Sequence, residues 1–265
     1  MTVEPSILVE QRAGYRVITL NRPDKLNAFN EAMHQALRKA IEDVEADEPC
    51  RALLITGAGR GFCTGQDLTD RLAKPDETIV LGGTLEAYYN PLVRKLRNLP
   101  FPVVAAVNGV AAGAGCNIAL ACDIVLAARS ANFIQSFARV GLVPDSGGTW
   151  FLPRLVGEAR ARGLALLAEP LPAEEAEQWG LIWKCVDDAA LAGEAQKLCE
   201  HFAAAPTQGL ALIKRAFNAS AANTLDAQLD LERDFQRAAS LIPDYAEGVR
   251  AFMEKRKANF SGRKK

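Results

Sequence analysis

Asn108-Gly-Val-Ala-Ala-Gly-Ala-Gly-Cys-Asn117 lies between an apolar, β-branched run, Phe101-Pro-Val-Val-Ala-Ala-Val107, and a smooth apolar helical pattern, Ile118-Ala-Leu-Ala-Cys122. The order is strand, glycine turn, helix. Small residues let a ligand approach the backbone closely. The first N–H groups of a helix have no partner within it and carry the positive end of its dipole. Such a turn suits an oxyanion. Further on, Val140-Gly-Leu-Val-Pro-Asp-Ser-Gly-Gly-Thr-Trp150 sets one carboxylate, Asp145, on a turn of Pro, Ser and Gly. An oxyanion site and one acid/base are the minimum needed to form and quench an enolate.

The pattern around these stretches is that of an α/β protein. Ile7-Leu-Val-Glu10 and Tyr15-Arg-Val-Ile-Thr-Leu20 flank Ala13-Gly14 and predict a hairpin. Leu26 to Val44 carries helical periodicity through Phe29, Met33, Leu37, Ile41 and Val44. Ala52-Leu-Leu-Ile-Thr56 predicts a buried strand, and a polar, glycine-containing stretch runs from Asp67 to Gly83. A helix over Leu85 to Leu99, a strand over Val103 to Val107 and another at Ile124-Val-Leu-Ala127 follow. Strands separated by helices imply parallel pairing. Beyond residue 150 helices dominate: Leu152–Leu167, a short one within Leu171–Gly180, Ala189–Ala204, Thr207–Ser220, Thr224–Ala238 and Tyr245–Lys257. We expect a core over residues 1–200 and a helical C-terminal region over 201–265.

The 265 residues suffice for a large core, and a net charge of -1 gives no general attraction to nucleic acid or acidic membranes. Basic residues do gather at the end (Arg250, Lys255, Arg256, Lys257, Arg263, Lys264 and Lys265), as a solvated tail or a phosphate contact. The six cysteines form no C-x-x-C pair and several lie in apolar segments, which predicts reduced, packed thiols. Met1 to Arg12 lacks a signal pattern, and no apolar run reaches the roughly 18–20 residues of a membrane span, so a cytoplasmic protein is expected.

Several chemistries drop out. Gly113-Ala-Gly115 lacks the third small residue of a dinucleotide fingerprint, and no phosphate-binding G-x-x-x-x-G-K-[ST] is present. Asp145-Ser-Gly-Gly148 superficially resembles a protease nucleophile segment, but the two histidines, His34 and His201, fall within helical patterns, and neither a nucleophile elbow nor a metal cluster is found. Two backbone oxyanion candidates remain. One is Gly113-Ala114-Gly115, and the other is Gly59-Arg-Gly-Phe-Cys-Thr-Gly-Gln-Asp-Leu68, after the buried strand.

Four segments in this order resemble the enoyl-CoA hydratase/isomerase (crotonase) superfamily: Asn21-Arg-Pro-Asp-Lys-Leu-Asn-Ala-Phe29, Gly61-Phe-Cys-Thr-Gly-Gln-Asp-Leu68, Asn108-Gly-Val-Ala-Ala-Gly-Ala-Gly115 and Pro144-Asp-Ser-Gly-Gly-Thr149. The resemblance runs from about Val9 to Phe260. It implies a spiral of repeated ββα units with a helical C-terminal region used for trimerisation, as a homotrimer or a dimer of trimers. It implies acyl-CoA thioester substrates, with CoA arriving as part of the substrate and no separate cofactor or metal. The N–H groups of Gln66 and Ala114 would hold the thioester oxygen, each donor supplying roughly 2.7–4 kcal/mol at the transition state. The region of Lys25, Leu26 and Ala28 and the backbone of Gln66, Asp67 and Leu68 would touch the CoA moiety, with Lys25 either a phosphate contact or a solvent-facing lysine. Asn117 and Phe137 are the other substrate-binding candidates, and Lys255 or Arg256 would reach a neighbouring subunit's CoA phosphate.

Where hydratases of the superfamily carry two water-activating glutamates, this chain has Asn117 and Phe137. Neither takes a proton at neutral pH, so simple hydration should be poor. Asp145 would be the acid/base, removing a proton from one carbon and returning it to another; burial beside Phe137 and Val143 would make it a better base. Further segments resemble the isomerases of bacterial phenylacetate degradation, which convert ring-1,2-epoxyphenylacetyl-CoA to an oxepin-CoA. They include Tyr89-Asn-Pro-Leu-Val-Arg94, Gln178-Trp-Gly-Leu-Ile-Trp183 and Asn223-Thr-Leu-Asp-Ala-Gln-Leu-Asp-Leu-Glu-Arg233. Phe137, Trp150 and Tyr89 are candidates to wall a pocket for an aromatic ring, or are simply core. The alternatives are a general Δ3,Δ2-enoyl-CoA isomerase, a hydratase, or a non-enzymatic RNA-binding or scaffold protein of the same fold.

Overall fold

β1 (Ile7–Arg12) and β2 (Tyr15–Leu20) form the expected antiparallel hairpin, with Arg12 opposite Tyr15. The computed structural model describes residues 4–71 and 82–263, apart from the side chains of residues 70 and 71. The helix expected from Leu26 begins later. Pro23–Lys25 form a 3-10 turn, Leu26 and Asn27 take left-handed φ of 47° and 57°, and only then does α1 (Glu31–Ala46) start. Its cap is the Asn30 side chain, which accepts the Met33 N–H at 3.0 Å. Met33, Leu37, Ile41 and Val44 then face the core.

From β3 the chain repeats a two-strand unit. β3 (Leu53–Gly57) is followed by β4 (Gly61–Cys63), α2 (Gly82–Thr84), a π-helical turn (Leu85–Tyr89) and α3 (Asn90–Asn98). β5 (Val103–Val107) is followed by β6 (Val110–Ala112) and α4 (Ala114–Ala121), then β7 (Ile124–Ala128) by β8 (Asn132–Ile134). The first strand of each unit adds to one sheet and the second to another. With two later strands, β9 (Leu171–Pro172) and β10 (Lys184–Val186), the orders are β1-β2-β3-β5-β7-β10 and β4-β6-β8-β9, with β3, β5 and β7 parallel and β4, β6 and β8 parallel. Each turn of the spiral thus advances both sheets by one strand. This is the ββα spiral that the resemblance implies; the strands of the second sheet, two or three residues long, are too short to show a period of their own.

The π-helical turn has an identifiable cause. Pro91 offers no N–H to the carbonyl four residues back, so that carbonyl, Ala87 O, accepts from the Arg38 guanidinium instead. Asn90 N–H bonds Leu85 O, one residue wider than an α-helix allows. Much of the polar stretch expected over Asp67–Gly83 lies outside the described residues.

The single helix expected over Leu152–Leu167 is two, α5 (Gly148–Val156) and α6 (Glu158–Leu167), broken at Gly157. β9 (Leu171–Pro172), α7 (Ala173–Gln178) and β10 (Lys184–Val186) close the sheets. α8 (Leu191–Ala203) crosses the boundary drawn at residue 200 and packs on the larger sheet, burying Leu191, Ala195, Cys199 and Phe202. α9 (Thr207–Ser220), α10 (Leu225–Ser240) and α11 (Pro243–Met253) form the helical remainder. The chain then returns to the core: Arg263 donates to the carbonyls of Glu45, Asp47 and Cys50, and Arg51 donates to Phe260 O. Arg263 therefore anchors the C-terminus, and Arg256 is paired with Glu247 and Glu254. Among the described residues no helix is long and apolar enough to cross a membrane.

Candidate active site

Gly113 leaves β6 at φ 53° and ψ -130° and starts α4 at Ala114, a backbone shape that L side chains avoid. Its N–H is held by Ile134 O at 2.8 Å on β8. The Ala114 N–H is the first of the helix and has no carbonyl behind it within the helix. A Cβ placed on Gly113 would lie 3.9 Å from the tip of the Phe137 ring, so that buried ring edges this turn.

The second turn is brought to the first across the spiral. Phe29 makes a parallel bridge with Gln66: its N–H donates to Gly65 O at 2.6 Å, and its carbonyl accepts Asp67 N–H at 2.8 Å. In that register the Gln66 N–H points to the opposite side of the extended segment. Gly65, at φ 84°, allows the close approach; a Cβ there would sit 3.1 Å from both Ala112 O and Ala114 N. The two predicted donors, Gln66 and Ala114, therefore belong to turns in contact.

Asp145 reaches the same place through its backbone. Its carbonyl accepts the Asn117 side-chain amide at 2.8 Å and Gly148 N–H at 2.9 Å, at the start of α5. Asn117, fully buried on α4 three residues after Ala114, is oriented by Gln135, whose amide donates to Asn117 Oδ1 at 2.8 Å. Asn117 thus acts as a brace that holds the Asp145 turn against α4. Gln135 is a site residue the sequence analysis missed; nothing local marks it. The carboxylate itself accepts the Ser146 hydroxyl at 2.9 Å.

Ser146 is buried at φ 51°, an unfavourable conformation for a non-glycine residue that costs on the order of 1 kcal/mol. Ser146→Gly removes both the strain and the hydroxyl. It is expected to leave Tm unchanged or higher and to lower kcat about fivefold, the value of about 1 kcal/mol of lost positioning. A parallel fall in Tm and kcat in melting and steady-state assays would refute this.

The CoA-facing positions are less uniform. Lys25 is exposed on the 3-10 turn before Leu26, whose carbonyl accepts Thr64 N–H at 3.1 Å, next to the Gln66 segment. Asn27 ties this loop together, accepting Arg22 N–H and donating to Ala58 O and Gly61 O. Its role was not foreseen, although asparagine is the residue that tolerates a left-handed φ there. Ala28 O accepts from the Arg22 side chain. Leu68 is exposed, but the Asp67 side chain turns inward to Thr69 and Arg22. The Thr69 hydrogen bond, with help from Arg22, holds its carboxyl below the usual range. The Asp67 side chain is therefore a structural link, and its N–H donates to Phe29 O.

Of the aromatic residues offered as pocket walls, Phe137 lies against the Gly113 turn. Tyr89 is 1% exposed with its ring edge-on to Phe29, and Trp150 is 38% exposed under the Arg154 guanidinium. Val143 is 78% exposed, so it supplies none of the burial expected for Asp145 within one chain. The described cysteines are all free, and burial pushes the Cys63 and Cys116 thiols beside the two turns up to about 12, leaving them neutral.

The enoyl-CoA hydratase/isomerase family model matches residues 10–263, and the chain belongs to that family. It is 56% identical to the 1,2-epoxyphenylacetyl-CoA isomerase of Escherichia coli K12 over 97% of this chain and 98% of that protein. It is 34% identical to the trans-2-decenoyl-[acyl-carrier-protein] isomerase of Streptococcus mutans, over 97% of this chain and 98% of that protein. The solved enoyl-CoA hydratase of Mycobacterium smegmatis superposes with a TM-score of 0.89 at 31% identity, covering 97% of this chain and 99% of that one.

Proposed function

We propose that the chain is an isomerase of acyl-CoA thioesters whose substrate is ring-1,2-epoxyphenylacetyl-CoA, converted to the oxepin-CoA. The observation that carries this reading is Asp145, held through Asn117 one helical turn from the Ala114 N–H. The Gln66 and Ala114 N–H groups donate to the thioester oxygen as negative charge grows on it. Asp145 removes a proton from the carbon next to the thioester and returns it further along the conjugated system. No water is added, in keeping with a braced Asn117 and an apolar Phe137 where a hydratase needs acids. The 56% identity to the Escherichia coli isomerase supports the choice of substrate.

In this reading CoA enters as part of the substrate, with no separate cofactor or metal. It runs past Lys25, Leu26, Ala28 and the backbone of Asp67 and Leu68. The chain works in the cytoplasm as a homotrimer or dimer of trimers, and the exposed apolar residues Phe217, Leu241, Phe252 and Met253 of the C-terminal region support self-association. The test is turnover of three substrates by the wild-type protein. Fast conversion of the ring epoxide, slower double-bond migration in a 3-enoyl-CoA and little hydration of a 2-enoyl-CoA are expected. Hydration faster than either isomerisation would replace this reading with that of a hydratase.

A further inference from the structure

Gln66 contributes more than its backbone. Its side-chain amide donates to Phe29 O at 3.0 Å, and its Oε1 accepts the Tyr89 hydroxyl at 3.0 Å. Both ends of the side chain are therefore held, and the residue that carries one of the two proposed oxyanion donors is fixed from two sides. The Tyr89 ring is held in turn, with its centroid 4.5 Å from that of His34 and 6.0 Å from that of Phe29, both edge-on. Tyr89 ends the π-helical turn that Pro91 imposes, and a π turn shifts the angular register of the side chains around it.

We propose that Tyr89 is a positioning residue for the oxyanion hole, its hydroxyl clamping the Gln66 side chain so that the Gln66 N–H stays aimed at the thioester oxygen. The proposal rests on the reading of Gln66 and Ala114 as oxyanion donors. The physical reason is preorganisation. A donor that is already aimed stabilises the developing charge without having to reorganise, whereas one on a loosened turn must be oriented at each turnover. Phe29 serves both ends of the device: its backbone bridges Gln66 and its ring packs on Tyr89.

Tyr89→Phe deletes one hydroxyl and keeps the ring. Gln66→Ala deletes the clamped side chain and keeps the donating N–H. Each is expected to lower kcat for a 3-enoyl-CoA about tenfold, a fraction of the 10²–10³ lost when an oxyanion donor is removed outright. KM should stay within about twofold, since the donor matters more as charge develops. The double variant should lose no more than either single one, because both break the same link. A structural role would not move a second readout, the carbonyl stretch of bound 3-phenylpropenoyl-CoA. That stretch should fall on binding to the wild type and fall less in both single variants.

Unchanged kcat and carbonyl stretch in Tyr89→Phe would overturn the clamp, as would losses that multiply in the double variant. A raised KM with kcat retained would also overturn it, by assigning Tyr89 to packing alone. A wild-type protein that does not shift the carbonyl stretch on binding would overturn the oxyanion reading itself, and the clamp with it.

Discussion

Asp145→Asn is expected to lower kcat for isomerisation about 10³-fold, within the 10²–10⁴ that a positioned acid/base contributes, while KM for the CoA ester changes less than about threefold. Asparagine has nearly the same shape and can still accept the Ser146 hydroxyl through its amide oxygen. The backbone carbonyl that Asn117 and Gly148 hold is untouched. What disappears is the ability to take and return a proton. The residual rate would come from the two N–H donors, which remain. Steady-state kinetics on the ring epoxide and a 3-enoyl-CoA measure it. Retention of more than a tenth of wild-type kcat would show that another group moves the proton and would remove Asp145 from its role.

The second large effect concerns stability. Lys214 on α9 is 9% exposed, and its ammonium donates to Asp123 Oδ2 at 2.7 Å and to Leu96 O at 2.8 Å. Asp123, just before β7, also accepts Val103 N–H at 2.8 Å. Burial raises the Asp123 pKa and lowers that of Lys214, so each charge is sustained by the other. Lys214→Met should destabilise the fold by about 3 kcal/mol, because it leaves a desolvated carboxylate without its counter-ion. Adding Asp123→Asn should restore most of that, since the amide oxygen can still accept Val103 N–H and carries no charge to strand. Urea unfolding of the single and double variants measures both. A single variant as stable as the wild type would show that the pair does not tie α9 to the core.

Part of this molecule was plain in its sequence. The hairpin, the strands at Val103–Val107 and Ile124–Ala128 and the helix at Thr207–Ser220 are all set by local periodicity and turn residues. The three short segments Gly61–Cys63, Val110–Ala112 and Asn132–Ile134 were not legible as strands, because their pairing is wholly non-local. The same distinction runs through the site. Gly113-Ala114-Gly115 is legible as a tight turn at a helix start and an oxyanion candidate, and Asp145 stands out as an acid on a glycine turn. Gln135 carries no local mark, and nothing local gives the hydrogen-bond partners of Asn27 and Tyr89.

The sequence by itself determined the family, the strand–turn–helix around Ala114, the placement of Asp145 and the absence of the two hydratase glutamates at Asn117 and Phe137. Only the tertiary structure decided that the Asn117 amide holds the Asp145 carbonyl, that Asp67 turns onto Arg22 and that Tyr89 is buried with its hydroxyl on the Gln66 side chain. The reason is range. Periodicity, capping and glycine turns act between residues a few positions apart and are written in neighbouring letters. The direction of a buried polar side chain is set by the partner that satisfies it, and here those partners lie 28, 45 and 23 residues away.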